Sequence, residues 1–258
     1  MSMYSRLAAS STAALLCLAN AAHADGKFEE ILARGHVIIG TGSTNPPWHF
    51  MDETNTLVGF DVDIGHLFAK AFFDDPSKVV YVDQSSDSRI PNLVTGKVDI
   101  TCQFMTVTPA RAQQVEFTIP YYREGVGLMV MENGPHADYE ALKAAGGDVT
   151  VSVLQNVFAE DMVHRALPEA KVDQYDSVDL MYQALNSGRA HAAATDQSSL
   201  RWFMVQNPGR YKDAGFAWDA QTYSCAVNPG EQRLLNFLNT TLLQALTGVE
   251  FEFYSQSY

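Results

Sequence analysis

Two charged side chains stand where an α/β chain presents contacts to a bound molecule. Arg111 follows Thr108-Pro109-Ala110, a run that starts a short helix with threonine as its N-cap and proline as its first residue. A planar guanidinium there donates two parallel hydrogen bonds to a carboxylate. The helix start adds partial positive charge on the same side. Asp196 follows the run His191–Thr195, which reads as a strand, and open α/β sheets place ligand contacts at such strand ends. Each residue has a plain structural alternative: Arg111 as an ordinary helix arginine, Asp196 as the cap of a helix beginning near Ser198 and Ser199. Asp61 and Asp63 also lie close together at a helix start. The helix dipole favours carboxylates at that position, so they read as structural rather than as an acid–base pair.

Other chemistries find no support. Gly40-Thr41-Gly42-Ser43-Thr44-Asn45 follows a strand and imitates a dinucleotide loop. The third glycine is missing, and Pro46-Pro47 blocks an immediate helix. Histidines 36, 49, 66, 136, 164 and 191 show no metal-ligand spacing, and no Gly-x-Ser-x-Gly nucleophile turn occurs. No metal and no cofactor is expected.

The elements that must position Arg111 and Asp196 come after an export leader. Met1–Arg6 is short and positively charged, Leu7–Ala22 is apolar or small, and Ala22-His23-Ala24 is a small-x-small cleavage pattern. The apolar stretch is short for a bilayer span. Leu16 before Cys17 departs from a lipoprotein signal. Cleavage after Ala24 would release a periplasmic protein beginning at Asp25, not embedded in the membrane. Residues 25–258 suffice for two modest domains or one large one. Lys plus Arg is 17 and Asp plus Glu is 30, for a net charge of -13. That balance argues against nucleic acid and anionic membrane as partners, since both need a basic face.

Strands at His36–Gly40, Lys78–Val82 and Val98–Cys102 alternate with helices at Gly59–Phe73 and Ser86–Thr95. A further short helix, Phe28–Arg34, precedes them. In the long helix Phe60, Ile64, Phe68 and Phe72 recur every fourth residue, which makes one broad apolar face. Such alternation predicts parallel strands with crossover helices. The plan then repeats: strands at Val149–Leu154, Lys171–Tyr175 and His191–Thr195, helices at Val157–Ala166, Val178–Leu185 and Ser198–Val205. A strand at Gly125–Met131 lies between the units. A late strand, Tyr223–Val227, and a helix, Glu231–Leu246, have no place in the second unit and are expected to return to the first. The chain then crosses twice between lobes, near Tyr121 and Tyr223. The expected division is lobe one from 25–121 and 223–258, and lobe two from 122–222, joined by a two-strand hinge with a cleft at the boundary. Cys102 and Cys225 are the cysteines left after leader removal. An oxidising compartment permits a bridge, with two buried thiols as the alternative.

An ordered set of motifs resembles the family 3 extracellular solute-binding proteins, the periplasmic receptors of polar amino-acid ABC importers. The set is Gly59-Phe60-Asp61-Val62-Asp63-Ile64, Arg89-Ile90-Pro91-Asn92-Leu93, Gly96-Lys97-Val98-Asp99, Thr106-Val107-Thr108-Pro109-Ala110-Arg111, Phe117 with Pro120-Tyr121-Tyr122, and Ala184-Leu185-Asn186-Ser187-Gly188-Arg189 leading to Asp196. The resemblance implies a two-lobed type II α/β receptor, monomeric by default, that closes over one amino acid and delivers it to an ABC permease. It places Arg111 on the ligand's α-carboxylate and Asp196 on its α-ammonium, with Thr106 and the backbone at Phe104 adding hydrogen bonds. A zwitterion would then bridge the lobes and drive closure. The family topology also sets the strands of Cys102 and Cys225 side by side, so a cross-strand disulfide is expected.

The chain departs from the family at three places. Gly42 and Asn45 stand where many relatives carry an aspartate and a stacking aromatic. Trp48 is either a replacement aromatic wall or a core residue. The missing aspartate weakens the case for a basic amino acid. Gln155-Asn156-Val157-Phe158 replaces a Gly-Thr-Thr turn; its hydroxyl is absent, while Asn156 tolerates the left-handed dihedrals of such a turn. The chain stops at Tyr258, short of the family's terminal aromatic-rich turn. Side-chain selectivity is expected from Trp48, Asn45, His49, Gln103 and Gln155. The family also includes cyclohexadienyl dehydratases acting on prephenate-like acids, and receptors that signal to chemoreceptors; both are rival readings. From the leader, exported protein is expected to begin at Asp25 by N-terminal sequencing, and retention of the apolar segment in the released protein would contradict that reading.

Overall fold

The computed structural model describes residues 26–248; the leader and the last ten residues fall outside the described residues. The chain opens with helix α1 (Lys27–Arg34), strand β1 (Val37–Thr41), and three short strands, β2 (Thr44–Asn45), β3 (His49–Met51) and β4 (Leu57–Val58). Helix α2 (Phe60–Phe73), β5 (Val79–Asp83), α3 (Arg89–Val94), β6 (Ile100–Thr106), α4 (Pro109–Ala112) and β7 (Glu116–Phe117) follow. Next come β8 (Tyr122–Met131), α5 (Tyr139–Ala145), β9 (Thr150–Leu154), α6 (Ala159–Ala166), β10 (Lys171–Tyr175), α7 (Val178–Asn186), β11 (Ala192–Asp196) and α8 (Gln197–Gln206). The long strand β12 (Tyr211–Val227) and helix α9 (Gln232–Thr247) complete the fold.

One mixed sheet runs through both lobes in the order β10-β9-β11-β8-β12-β6-β1-β5, with β7 on β12; β2-β3-β4 form a small separate sheet. β1 pairs in parallel with β5 and β6, as β9 does with β10 and β11. These are the two crossover units the strand–helix alternation predicts. β8 and β12 lie antiparallel from Met131 opposite Tyr211 to Tyr122 opposite Tyr223. β12 then continues against β6. The late strand therefore returns to the first unit, and two strands carry the chain between the lobes.

Burial follows the periodicities. Ile64, Leu67 and Phe68 of α2 pack with Ile39, Ile100 and Tyr223 beneath α9, which contributes Leu234, Leu238 and Leu242. Leu246, on the same sequence stripe, is exposed. The second unit buries Val126, Leu128, Val151, Val153 and Val163 on one face of its sheet, and Met129, Met181, Tyr182 and Leu200 on the other. Removing such side chains from water is the main stabilising term.

Three features escape the sequence pattern. Strand β12 starts twelve residues before Tyr223, the expected start. Its register shifts between Asp213 and Ala217 and again between Trp218 and Gln221, and Gly215 and Asp219 take left-handed dihedrals. Two bulges erase the two-residue alternation by which a strand is recognised. The β2-β3-β4 strands are two or three residues each, too short to carry a pattern. Helix α5, whose Asp138 side chain accepts from the Ala141 N–H at 2.9 Å, also lacked an expected counterpart.

Gly59 fixes the small sheet on α2. Its φ is +126°, and a Cβ there would lie 2.4 Å from the Trp48 carbonyl oxygen. The Phe60 and Asp61 amides donate to Pro47 and Trp48 carbonyls at 3.0 and 2.9 Å. Only glycine allows that approach.

A disulfide joins Cys102 of β6 to Cys225 of β12, with the Cα atoms 4.4 Å apart and a separation of 123 in sequence. It ties the returning strand to the first lobe, and closing so long a loop restricts the unfolded chain. Replacing both cysteines by alanine is expected to lower unfolding stability by about 2–4 kcal/mol. Intact mass with and without reductant checks the bond directly, and free thiols in unreduced, unfolded protein would contradict it.

Candidate functional site

A cleft of about 400 Å³ is lined by Arg89, Phe104, Thr106, Arg111, Asn156, Phe158, Asp196 and their neighbours. It takes residues from both lobes. Arg111 is placed by local chemistry: Thr108 Oγ1 accepts from its backbone N–H at 3.2 Å, with Pro109 at the first helical position. Its Nη1 donates to the Thr106 carbonyl at 2.8 Å. The guanidinium lies 5.1 Å from the centre of the Phe158 ring, which comes from the second lobe. Burial lowers its pKa, because a charged group loses its hydration there.

Asp196 ends β11 and occupies the N-cap position of α8, yet its side chain makes no cap bond. It is buried, and accepts a hydrogen bond from the Tyr223 hydroxyl. Burial raises its pKa. The capping role falls instead to Glu124 of β8. Glu124 Oε2 accepts from the Ser198 N–H at 2.7 Å and Oε1 from Ser198 Oγ at 2.8 Å.

The other expected contacts divide. Thr106 lines the cleft, but its hydroxyl donates to Gln221 Oε1. Phe104 lines it too, while its N–H is committed to Asp61 Oδ2 at 2.9 Å. Asn156 lines it without left-handed dihedrals; its Oδ1 accepts from the Phe158 N–H at 2.9 Å and its Nδ2 donates to the Leu154 carbonyl at 3.1 Å. The turn is thus closed by a side chain rather than by an unusual backbone.

Trp48, Asn45, His49, Gln103 and Gln155 lie outside the cleft lining. Trp48 is 2% exposed, packs on Phe60, Phe104, Tyr122 and Tyr223, and donates from Nε1 to Ser198 Oγ at 3.0 Å. Asn45 Oδ1 accepts from Ser199 Oγ at 3.3 Å. These two residues therefore link the first lobe to α8 in the second. Gln103 is tied to Gln84 by two 3.1 Å hydrogen bonds. His49 Nδ1 lies 2.8 Å from Asp61 Oδ2. Gln155 is exposed, with its N–H on the Tyr175 carbonyl at 2.8 Å. Asp61 is wholly structural: it also accepts from the Tyr121 hydroxyl at 2.7 Å.

Residue-type reasoning missed Arg89, Phe158, Tyr223 and Glu124. Each owes its place to a pairing between distant segments. An arginine at the head of the mostly apolar run Arg89–Val94 was the one available signal.

Burial, and next the neighbouring Asp196 charge, push the Glu124 carboxyl up to about 7. Its folded pKa lies above the unfolded value, so its contribution to stability is complete below the unfolded pKa and is lost as pH rises through about 7. Thermal melts from about pH 5 to about pH 8 should therefore show wild type losing stability relative to Glu124→Gln, and parallel curves would contradict this.

The comparisons agree with this architecture. The family model for bacterial extracellular solute-binding proteins, family 3, matches residues 37–257. The ABC transporter glutamine-binding protein GlnH of Bacillus subtilis is 29% identical over 186 residues, covering 72% of this chain and 67% of that protein. The solute receptor for L-cysteine of Neisseria gonorrhoeae superposes with a TM-score of 0.77 at 30% identity, covering 85% of this chain and 88% of that one. An ancestral amino acid-binding protein, a precursor of cyclohexadienyl dehydratase, gives a TM-score of 0.77 at 30% identity over 85% of this chain and 93% of that one. With a match spanning nearly all the described residues and a two-lobed fold to accompany it, the chain belongs to the bacterial extracellular solute-binding proteins, family 3.

Proposed function

We propose that this protein is the extracytoplasmic receptor of an amino-acid importer. It binds one amino acid between a first lobe of residues 25–121 and 223–258 and a second lobe of 122–222, and delivers it to an ABC permease. One juxtaposition carries the reading: Arg111 from the first lobe and Asp196 from the second line the same cleft. Arg111 has guanidinium N–H groups beyond the one bound to Thr106, free to grip an α-carboxylate in fork geometry. Asp196 offers a carboxylate to an α-ammonium. Neither lobe alone matches both charges, so occupancy favours the closed arrangement. Trp48 and Asn45 reach α8 from the first lobe and act as latches between the closed lobes.

Relatives named as binders of glutamine and L-cysteine support an amino-acid ligand. A dehydratase reading is less well supported. The cleft carboxylates Asp196 and Asp219 each accept a hydrogen bond from a protein partner, Tyr223 and Arg165, and the relatives named above for transport outweigh the dehydratase precursor. Among the described residues no helix is long and apolar enough to cross a membrane. Release into the periplasm after cleavage at Ala24 fits a receptor that meets its permease from outside.

Isothermal titration of protein stripped of bound ligand, against a panel of amino acids, tests the proposal. Arg111→Ala or Asp196→Asn should weaken the best ligand by about 30-fold or more, the usual consequence of truncating one partner of a buried charge pair. Unchanged affinity in both variants would contradict the assignment.

A further inference from the structure

Asp196 lines the cleft, and a second carboxylate stands behind it. Glu124 of β8 is half-buried and is not part of the cleft lining. The two meet at one hydroxyl: Tyr223 of β12 donates to Asp196 Oδ1 and also reaches the Glu124 carboxylate. From α8 the Ser198 N–H and Oγ donate to Glu124 at 2.7 and 2.8 Å. The Thr195 hydroxyl of β11 donates to Asp196. Tyr122 of β8 faces Glu124 and also feels Arg201 of α8; Tyr121 faces Tyr223. Arg89 acts on Asp196 from across the cleft and is itself shared with Asp87. Among the described residues, neither Glu124 nor Asp196 has a cation within ion-pair distance.

One hydroxyl proton cannot serve two carboxylates at once. Two arrangements satisfy the group. In the first, Glu124 carries a proton: its O–H donates to the Tyr223 oxygen, Tyr223 donates to Asp196, and one negative charge remains. In the second, both carboxylates are ionised and a cation at Asp196 offsets the added charge. Without that cation, two like charges in one desolvated site keep a proton between them. Burial first, and the Asp196 charge second, raise the Glu124 pKa to about 7. The first arrangement therefore suits the empty cleft up to neutrality, and the second suits an occupied one.

We propose that binding of an amino acid expels a proton from Glu124, because the ligand's ammonium and that proton compete for the same carboxylate pair. This rests on the receptor reading above and adds Glu124 to it as a positioning residue. The ammonium against Asp196 supplies the missing cation. The Glu124 proton leaves to solvent, and no other bond is made or broken. As a full carboxylate, Glu124 then holds Ser198 by charge-assisted hydrogen bonds, which are stronger than neutral ones. Ser198 Oγ accepts in turn from Trp48 Nε1 of the first lobe at 3.0 Å. Occupancy of the cleft is thereby coupled, through Glu124 and Ser198, to a contact that joins the lobes. Acid favours the protonated pair, which competes with the ligand. Affinity therefore falls as pH drops below about 7 and is level above it.

Titration calorimetry of stripped protein with its best-binding amino acid, repeated in buffers of different ionisation enthalpy, counts the protons released. Wild type should release about 0.3–0.8 proton per ligand at about pH 6.5 and less than about 0.2 at about pH 8, and should bind at least about threefold more weakly at about pH 5.5 than at about pH 7.5. Glu124→Gln keeps an oxygen acceptor for Ser198 and cannot ionise. It should release less than about 0.1 proton and bind with an affinity level from about pH 5.5 to about pH 7.5. The wild-type proton count decides even if the variant fails to fold. A binding heat independent of buffer in wild type would overturn the inference and leave the receptor reading standing. So would proton release that survives in Glu124→Gln, which would place the titrating group elsewhere. No binding by any amino acid at any pH defeats the receptor reading and this inference with it.

Discussion

Charge taken out of water needs a partner, and the partners in this cleft are incomplete. Arg89 and Arg111 lie buried or nearly so with carbonyl oxygens as their protein acceptors. Asp196 has the Tyr223 and Thr195 hydroxyls and no cation. Desolvation alone would make such an arrangement unfavourable. In our reading a dipolar guest completes it, and the lobes are the means of bringing the separated charges to that guest. Two other buried carboxylates among the described residues are answered by several partners each. Asp61 accepts from His49, Phe104 and Tyr121, and Asp99 accepts from the Ile38 N–H at 2.7 Å and pairs with Arg34. The contrast between these closed networks and the open valences of the cleft separates structure from recognition.

The scaffold follows from the same economy of burial. Two crossover units each bury an apolar sheet face under helices, and two strands carry the backbone between them. β12 serves three purposes. It hydrogen-bonds β8 along the hinge, returns to β6, and is tied there by Cys225. It also brings Tyr223 to Asp196 across the lobe boundary. Glu124 of β8, opposite Gln221 of β12, caps α8 in the second lobe. Hinge and site therefore share residues, and a change in one is felt in the other.

Much of the scaffold was legible in the sequence because regular burial leaves a period. The four-residue spacing of Phe60, Ile64 and Phe68 marks α2, and Thr108-Pro109 marks the start of α4. The Gly59-Phe60-Asp61 motif acquires a physical meaning: glycine for close backbone approach, an aromatic for packing, and a buried carboxylate that organises three donors. Side-chain contacts between distant segments leave no such period. Trp48 and Asn45 look like ligand contacts in a loop and instead meet Ser198 and Ser199 some 150 residues away. Arg89 reads as a polar residue heading a short helix, and only the assembled fold shows it buried at the cleft with the Ser86 and Gln103 carbonyls as its acceptors. The part of β12 before Tyr223 was hidden by its bulges.

The direct test of the central claim is a structure of the occupied protein. The account predicts a bound amino acid with its α-carboxylate on the Arg111 guanidinium and its ammonium against Asp196, the lobes closed around it. A guest held with neither of those side chains touching it would contradict the account.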